Sequence, residues 1–134
     1  QFIRTLAPSQ RGATLVTLSG ELGAGKTAFT QAVARALRVE ETVTSPTFVL
    51  EKIYLLPPEH RGEAPAFRRL VHLDAYRLEK GTELAALGFD ELIQDSGNLI
   101  LLEWPERVSD ALPAPAVRIA LTANSDGSRI ISYG

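Results

Sequence analysis

The stretch Gly20-Glu21-Leu22-Gly23-Ala24-Gly25-Lys26-Thr27 decides the fold of this chain. It matches the phosphate-binding pattern G-x-x-x-x-G-K-[ST] at every fixed position. The glycines permit backbone conformations that other residues avoid, so successive N–H groups can surround a phosphate. Lys26 can reach the outer phosphates, and the Thr27 hydroxyl can bind Mg²⁺. The stretch therefore predicts a phosphate-binding loop, or P-loop.

The sequence on either side of this loop fits that prediction. Residues 13–19 alternate and are rich in β-branched side chains, which indicates a strand. After the loop, Phe29, Val33 and Leu37 are spaced as one face of a helix. Strand, glycine-rich loop and helix form the setting in which a P-loop binds nucleotides. The alternative, a glycine-rich turn that matches by chance, explains the loop but not its flanks.

Composition limits the class of protein. The chain has 134 residues, of which 45% are hydrophobic, so we expect a single domain, 1–134, with a proper core. It contains no cysteine, which excludes disulfides, thiol catalysis and cysteine-bound metals and fits a reducing cytosol. The net charge of −2 disfavours independent binding of RNA.

Membrane insertion is not expected. No apolar run approaches the roughly 18 residues needed to span a bilayer. The first residues lack the long apolar stretch of a signal peptide. The sequence therefore predicts a cytoplasmic protein.

Two acidic residues follow apolar runs. Residues 99–102 are four consecutive apolar residues, typical of a strand buried on both faces, and Glu103 follows them as in a Walker-B strand. A second predicted strand, 70–77, ends in a polar cluster, with Asp74 near its carboxyl end. Ligands of open α/β sheets bind at the carboxyl ends of strands. Both acids are therefore candidates to serve Mg²⁺ or its waters, and Glu103 to orient an attacking water; the alternative for Glu103 is a surface residue.

Other residues near these strands are harder to assign. His72 alternates with apolar neighbours, so we expect it to face solvent or a neighbouring side chain rather than a ligand. Trp104 is either a packing residue or an aromatic wall beside the site. The hydroxyls of Thr44, Ser45 and Thr47 precede a predicted strand, 48–54. They form either a solvated turn or a loop that senses a γ-phosphate.

The remaining segments complete the predicted architecture. Thr82 has the chemistry of a helix N-cap and Gly88 that of a C-cap. The basic residues His60, Arg61, Arg68 and Arg69 favour a solvated face over a contact to RNA or an acidic partner. Residues 117–122 and 128–133 predict a hairpin that extends the sheet antiparallel at its edge. The fold class is α/β: a P-loop NTPase-like three-layer α/β/α arrangement with a mostly parallel central sheet.

Five stretches together resemble the TsaE family, also called YjeE. These are the P-loop, the Thr-Ser-Pro-Thr of residues 44–47, the His-x-Asp-x-Tyr-Arg of residues 72–77, the Glu-Trp-Pro of residues 103–105 and the terminal hairpin. The resemblance implies an ATPase that uses Mg²⁺ and is slow alone. It implies action with TsaD and TsaB, and through them on tRNA, in forming threonylcarbamoyladenosine in tRNAs that read ANN codons. Threonylcarbamoyl transfer would belong to TsaD, and this subunit would reset the complex between turnovers.

The resemblance also implies roles for residues. Thr27 and Glu103 would bind or position Mg²⁺, Asp74 would be the second acid, and Trp104 would lie near the site. Thr44, Ser45 and Thr47 would form the switch-like loop. The phosphates would lie against Leu22, Gly23, Ala24, Gly25, Lys26 and Thr27.

Two departures from the family pattern stand out. Ala28 replaces a threonine that many members have, and residues 1–11 offer at most a remnant of the N-terminal helix whose preceding loop helps to hold the base.

Three other functions are compatible with a P-loop. A GTPase-like switch would require an Asn-Lys-x-Asp run to recognise guanine and an Asp-x-x-Gly after the switch-like loop, and neither is found. A small kinase would require an arginine-bearing lid, for which the cluster around Arg61 and Arg68 is the candidate. A nucleotide-gated binding module would have the same loop without hydrolysis of its own. For an arginine finger, the candidates are Arg77 and Arg107, or a residue of a partner.

Overall fold

The computed structural model describes residues 12–20, 26–37, 39, 51–56, 67–113, 115, 117–123 and 129–133. For Lys26, Thr27 and residues 122, 123 and 129–133, the description covers the backbone. The glycine-rich stretch 21–25, the loop of Thr44, Ser45 and Thr47, and the proline-rich loop 57–66 lie outside the described residues.

The described residues contain both strands and helices interspersed along the chain, as expected for an α/β fold. The strands are β1 (Thr14–Ser19), β2 (Glu51–Leu55), β3 (Arg69–Asp74), β4 (Asn98–Glu103), β5 (Val117–Ala123) and β6 (Arg129–Tyr133). The helices are α1 (Lys26–Ala36), α2 (Thr82–Ala85) and α3 (Phe89–Gln94), and two 3₁₀ turns follow at Pro105–Arg107 and Ser109–Ala111.

Six strands of the described chain form one sheet in the order β2-β3-β4-β1-β5-β6. The four central strands are parallel to one another. At one edge β6 pairs antiparallel with β5, which confirms the predicted terminal hairpin. At the other edge β2 pairs antiparallel with β3. The carboxyl ends of β3, β4, β1 and β5 therefore lie along one side of the sheet.

Apolar side chains pack on both faces of the sheet and form two cores. On one face, α1 contributes Val33 and Ala34, and Leu37 directly after it joins them, in a cluster with Val16, Leu18, Leu99 and Leu101. On the other face, α2 and α3 contribute Leu84 and Phe89 to a cluster with Leu15, Val71, Ile100 and Leu102. Successive residues of β1 and β4 thus enter opposite cores, because side chains of a strand alternate between faces. The three-layer α/β/α prediction is confirmed.

The prediction of Thr82 as an N-cap is wrong, because Thr82 is the first residue of α2 and Gly81 precedes it as the cap. The Glu83 carboxylate instead accepts hydrogen bonds from the N–H groups of Glu79 (2.6 Å) and Lys80 (3.1 Å), which precede the helix. These two backbone donors, the Glu79 N–H foremost, lower the pKa of Glu83.

Gly88 was predicted to end the first short helix, and the structure places it elsewhere. Ala86 is the C-cap of α2, whereas Gly88 precedes α3 with a φ of 76°. This left-handed conformation favours glycine, so the residue type follows from the backbone at the junction of the two helices.

Candidate nucleotide site

Of the predicted phosphate-binding residues, Lys26 and Thr27 are the first two of α1, and residues 22–25 lie outside the described residues. β1 ends at Ser19, and α1 begins at Lys26. Gly20 leaves the strand with a φ of 146°, a conformation that side chains disfavour. The chain thus changes direction directly after β1, and α1 returns over the sheet on the face of Leu18 and Leu101.

Asp74 and Glu103 end neighbouring strands, β3 and β4, at the same side of the sheet as Ser19. They are paired in the strand register, and Glu103 is also paired with Leu18 of β1. Both lie two or four residues beyond core residues of the α1 face, so both carboxylates belong to that face. Only 5% of Asp74 and 3% of Glu103 is exposed. The structure therefore brings together the two acids that the sequence singled out, at adjacent strand ends on the face that packs against α1.

Each of these acids has a defined hydrogen-bond partner. The Asp74 Oδ1 accepts from the N–H of Tyr76 at 2.9 Å, which closes a turn directly after β3. The Glu103 backbone carbonyl accepts from the N–H of Ala75 at 3.0 Å. These contacts fix the two strand ends relative to each other. Buried carboxylates in such positions can supply the oxygen ligands that Mg²⁺ prefers.

His72 is the partner of Glu103 that the sequence did not reveal. Its Nε2 lies 2.5 Å from Glu103 Oε2, and its side chain is completely buried. The prediction that His72 faces either solvent or a neighbouring side chain is thus confirmed for the side chain and wrong for solvent. The sequence indicates this contact only in part. His72 and Glu103 lie on the same face of the sheet once β3 and β4 pair in parallel register.

Trp104 continues from Glu103 in a left-handed conformation, with φ 60° and ψ 52°. Its ring lies 5.0 Å from that of Tyr76, tilted by 55°, and packs partly against the core opposite α1. The Arg107 guanidinium lies 5.4 Å from the Tyr76 ring centre. Trp104 is thus a packing residue, and it lies directly after the candidate metal ligand. Non-glycine residues in this backbone region are uncommon and often lie at functional sites.

Of the candidate kinase lid, Arg61 lies outside the described residues, and Arg68 does not lie at this site. Arg68 and Arg69 stand at the beginning of β3, whereas Asp74 ends it. A strand of this length separates them by roughly 15 to 20 Å. Both arginines form ion pairs with Asp95, and the Arg68 Nη2 lies 3.0 Å from the Asp95 Oδ1. These ion pairs give both arginines a structural role, so their presence does not require a bound substrate.

A metal at the candidate site would require ligands beyond the described side chains. Among the described residues, no group of three or more histidine, aspartate or glutamate side chains is arranged to hold one. Mg²⁺ is usually bound by one or two carboxylates together with substrate phosphates and water. Asp74 and Glu103 fit this donor set. Glu51, a further acid at this side of the sheet, lies on β2 beside Leu73, and partial burial raises its pKa.

These features define the class of the protein. A mostly parallel sheet whose first strand is followed by the glycine-rich sequence 20–27 and a helix, with acids ending two neighbouring strands, is a P-loop NTPase-like fold. The crystal structure of YdiB from Bacillus subtilis is similar, with a TM-score of 0.69 and 29% identity, covering 96% of this chain and 70% of that one.

Sequence comparison narrows the class to a family. The family model "Threonylcarbamoyl adenosine biosynthesis protein TsaE" matches residues 1–131. A "tRNA threonylcarbamoyladenosine biosynthesis protein TsaE" from Streptomyces coelicolor is 40% identical over 119 residues, which are 88% of this chain and 74% of that protein. One from Treponema pallidum is 36% identical over 89% of this chain and 80% of that protein. The chain belongs to the TsaE family, which confirms the resemblance.

The described part of the chain contains no helix that is long and apolar enough to cross a membrane.

Proposed function

We propose that this chain is a cytoplasmic, Mg²⁺-dependent ATPase subunit that acts with TsaD and TsaB to form threonylcarbamoyladenosine at position 37 of tRNAs reading ANN codons. The observation that carries the proposal is the pairing of Asp74 and Glu103 at adjacent strand ends, on the face where α1 starts after the P-loop sequence. Contact with tRNA is indirect and runs through TsaD and TsaB.

In this proposal the chain positions ATP and water rather than forming covalent bonds with them. Backbone N–H groups of residues 22–27 and the Lys26 ammonium bind the phosphates and stabilise charge that develops on them. Thr27 and Glu103 hold Mg²⁺, which neutralises phosphate charge when it is bound, and Asp74 is the second acid. Glu103 orients the attacking water. The loop with Thr44, Ser45 and Thr47 responds to the γ-phosphate.

The activity is tested by measuring phosphate release from ATP with and without TsaB and TsaD. We expect slow hydrolysis by the chain alone and faster hydrolysis with both partners. Co-purification with the pair is the accompanying binding test. A rate that the partners leave unchanged would contradict the assignment to their complex and would favour the kinase or switch alternatives.

The role of the strand-end acid is tested by Glu103→Ala. We expect this variant to bind ATP and to lose Mg²⁺-dependent hydrolysis by on the order of 100-fold or more, because metal and water lose their fixed carboxylate. Binding is measured by calorimetry and hydrolysis by phosphate release. Full activity in this variant would remove Glu103 from the site.

A further inference from the structure

A fully buried histidine in the centre of β3 is an unusual choice for a core position. His72 follows Leu70 on the face that packs against α1, and neighbouring positions on β4 hold Leu99 and Leu101. An apolar side chain would fill such a position without burying a polar group. The imidazole is therefore expected to have a role other than packing.

The polar contact of His72 is directed at Glu103. The distance between its Nε2 and the Glu103 Oε2 is 2.5 Å. A carboxylate can only accept hydrogen bonds, so the proton lies on Nε2, which donates it. The other ring nitrogen, Nδ1, is buried and has no hydrogen-bond partner in the part of the chain that the structure describes. A proton on Nδ1 would remain unsatisfied there, which favours the same tautomer.

We propose that His72 is a positioning residue for Glu103. It holds Oε2 by donation from Nε2 and thereby leaves Oε1 as the oxygen that serves Mg²⁺ or the attacking water. His72 itself does not touch the nucleotide, because it is buried two residues before the end of β3. The proposal rests on the proposed role of Glu103. Partners of this kind fix the orientation of a ligating side chain and its readiness to accept a metal.

Two amide substitutions separate this role from simple packing. In glutamine, the amide nitrogen is as many bonds from Cβ as Nε2 is in histidine, so His72→Gln keeps a donor within reach of Glu103. In asparagine, the amide nitrogen corresponds to Nδ1 and falls one bond short. Both variants place a neutral amide at the same buried position. The matched control is His60→Gln, which changes the chain's other histidine.

The first test is ATP hydrolysis as a function of Mg²⁺ concentration. We expect His72→Asn to lower kcat by on the order of 10- to 100-fold and to raise the Mg²⁺ concentration for half-maximal activity. Its affinity for ATP without Mg²⁺ should stay within about threefold of that of the unchanged chain. His72→Gln should recover most of the loss, and His60→Gln should match the unchanged chain. An equal loss in the Gln and Asn variants, or no loss in the Asn variant, would overturn the proposal.

The second test does not depend on hydrolysis. Nitrogen NMR of the ¹⁵N-histidine-labelled full chain, assigned with His60→Gln, distinguishes the two tautomers of His72. We expect the proton on Nε2, and we expect Glu103→Ala to abolish this preference. A proton on Nδ1 in the unchanged chain would overturn the proposal even if ATP is hydrolysed. If the chain has the expected tautomer but does not hydrolyse ATP, the proposed function is wrong and the contact between His72 and Glu103 stands. The NMR measurement uses the unchanged chain and Glu103→Ala, so it tests the proposal even if His72→Asn does not fold.

Discussion

Gly81 occupies a position with no space for a side chain. A Cβ added there would lie 2.3 Å from the Ala111 Cβ and 2.9 Å from the Ala111 backbone nitrogen. The Gly81 N–H also donates to the Asp110 Oδ1 at 2.9 Å, which ties α2 to the second 3₁₀ turn. We expect Gly81→Ala to lower the free energy of unfolding by about 1–3 kcal/mol, because backbone atoms must move. Chemical denaturation measures this loss.

Gly97→Ala is the control for this substitution. A Cβ at Gly97 would lie 2.7 Å from the Arg68 guanidinium, the flexible end of a side chain that is half exposed. Arg68 can rotate away, and the surface ion pair that it would leave contributes about 0–1 kcal/mol. Equal losses in the two variants would contradict the argument that the crowded backbone at Gly81 is decisive.

The Tyr54 hydroxyl is buried without a hydrogen-bond partner among the described residues, while its ring is completely enclosed in the core next to α1. An unsatisfied buried polar group costs about 1–3 kcal/mol. We therefore expect Tyr54→Phe to raise the free energy of unfolding by about 1 kcal/mol, measured by chemical denaturation. Leu55→Ala, on the exposed side of the same strand, should change it by less than about 0.5 kcal/mol. A loss of stability in Tyr54→Phe would show that the hydroxyl has a hydrogen-bond partner and would contradict this prediction.

Single residues differ in how far their sequence reveals their surroundings. Glu103 follows an apolar run directly in the sequence, and this local pattern predicted its place at a strand end. The contact of His72 with Glu103 joins residues 31 positions apart. It exists only because β3 and β4 are adjacent and parallel in a specific register, which the spacing within either strand does not determine.

At the scale of elements, the turn between α3 and β4 depends on one carboxylate. Asp95 accepts from the N–H of Gly97 at 2.8 Å and pairs with Arg68 and Arg69. The Gly97 N–H, followed by the two guanidinium groups, lowers the pKa of Asp95. A lowered pKa means that the charged carboxylate stabilises the native state at pH values above the ordinary pKa of aspartate, near 3.9.

We therefore predict a pH-dependent cost for Asp95→Asn. The variant should be less stable than the unchanged chain at neutral pH, and the difference should shrink as the pH falls through the lowered pKa of Asp95. Urea unfolding between pH 2 and pH 7 measures it. Arg68→Ala removes one guanidinium and leaves the Gly97 N–H in place. The stability of this variant should therefore keep most of the pH dependence that the unchanged chain shows. A difference between Asp95→Asn and the unchanged chain that is constant with pH would refute the assignment.

The elements themselves follow from sequence to different degrees. β4 was predictable because apolar residues on consecutive positions require burial on both faces, and β1 because its residues alternate and are rich in β-branched side chains. The terminal hairpin was predictable from two alternating segments around a turn. The antiparallel direction of β2 was not, since it depends on the path of the chain between α1 and β3 rather than on the strand's own residues. The caps of α2 were mispredicted because the helix begins at Thr82 and ends at Ala85, so that Gly81 and Ala86 take the cap positions.

At the scale of the whole molecule, the sheet order determines which parts of the site meet. Placing β4 between β3 and β1 brings Asp74, Glu103 and the start of the P-loop sequence to adjacent strand ends. The motif predicted a phosphate site, and the order of strands explains why distant acids belong to it. The base-binding contacts have no such local motif, so their identification requires a bound nucleotide.

The fold as a unit should be stabilised by its nucleotide. A ligand that binds only the native state at 100 times its Kd adds about 2.7 kcal/mol to the free energy of unfolding. For a chain of 134 residues this corresponds to a rise in Tm on the order of 10 °C. We expect this rise with ATP and Mg²⁺, measured by differential scanning calorimetry. GTP at the same concentration should give a smaller rise, because the chain lacks the Asn-Lys-x-Asp run that recognises guanine.

Two variants on α1 make this prediction specific to the phosphate end of the site. Lys26→Ala removes the cation expected at the outer phosphates and should abolish the rise in Tm with ATP and Mg²⁺. Arg35→Ala removes an exposed cation in the last turn of the same helix and should keep it, because that turn lies about 14 Å along the helix from Lys26. If Lys26→Ala retained the full rise, the assignment of residues 20–27 as the phosphate-binding loop would fail. An equal loss in both variants would mean that the nucleotide responds to the total charge of α1 rather than to a fixed ammonium group.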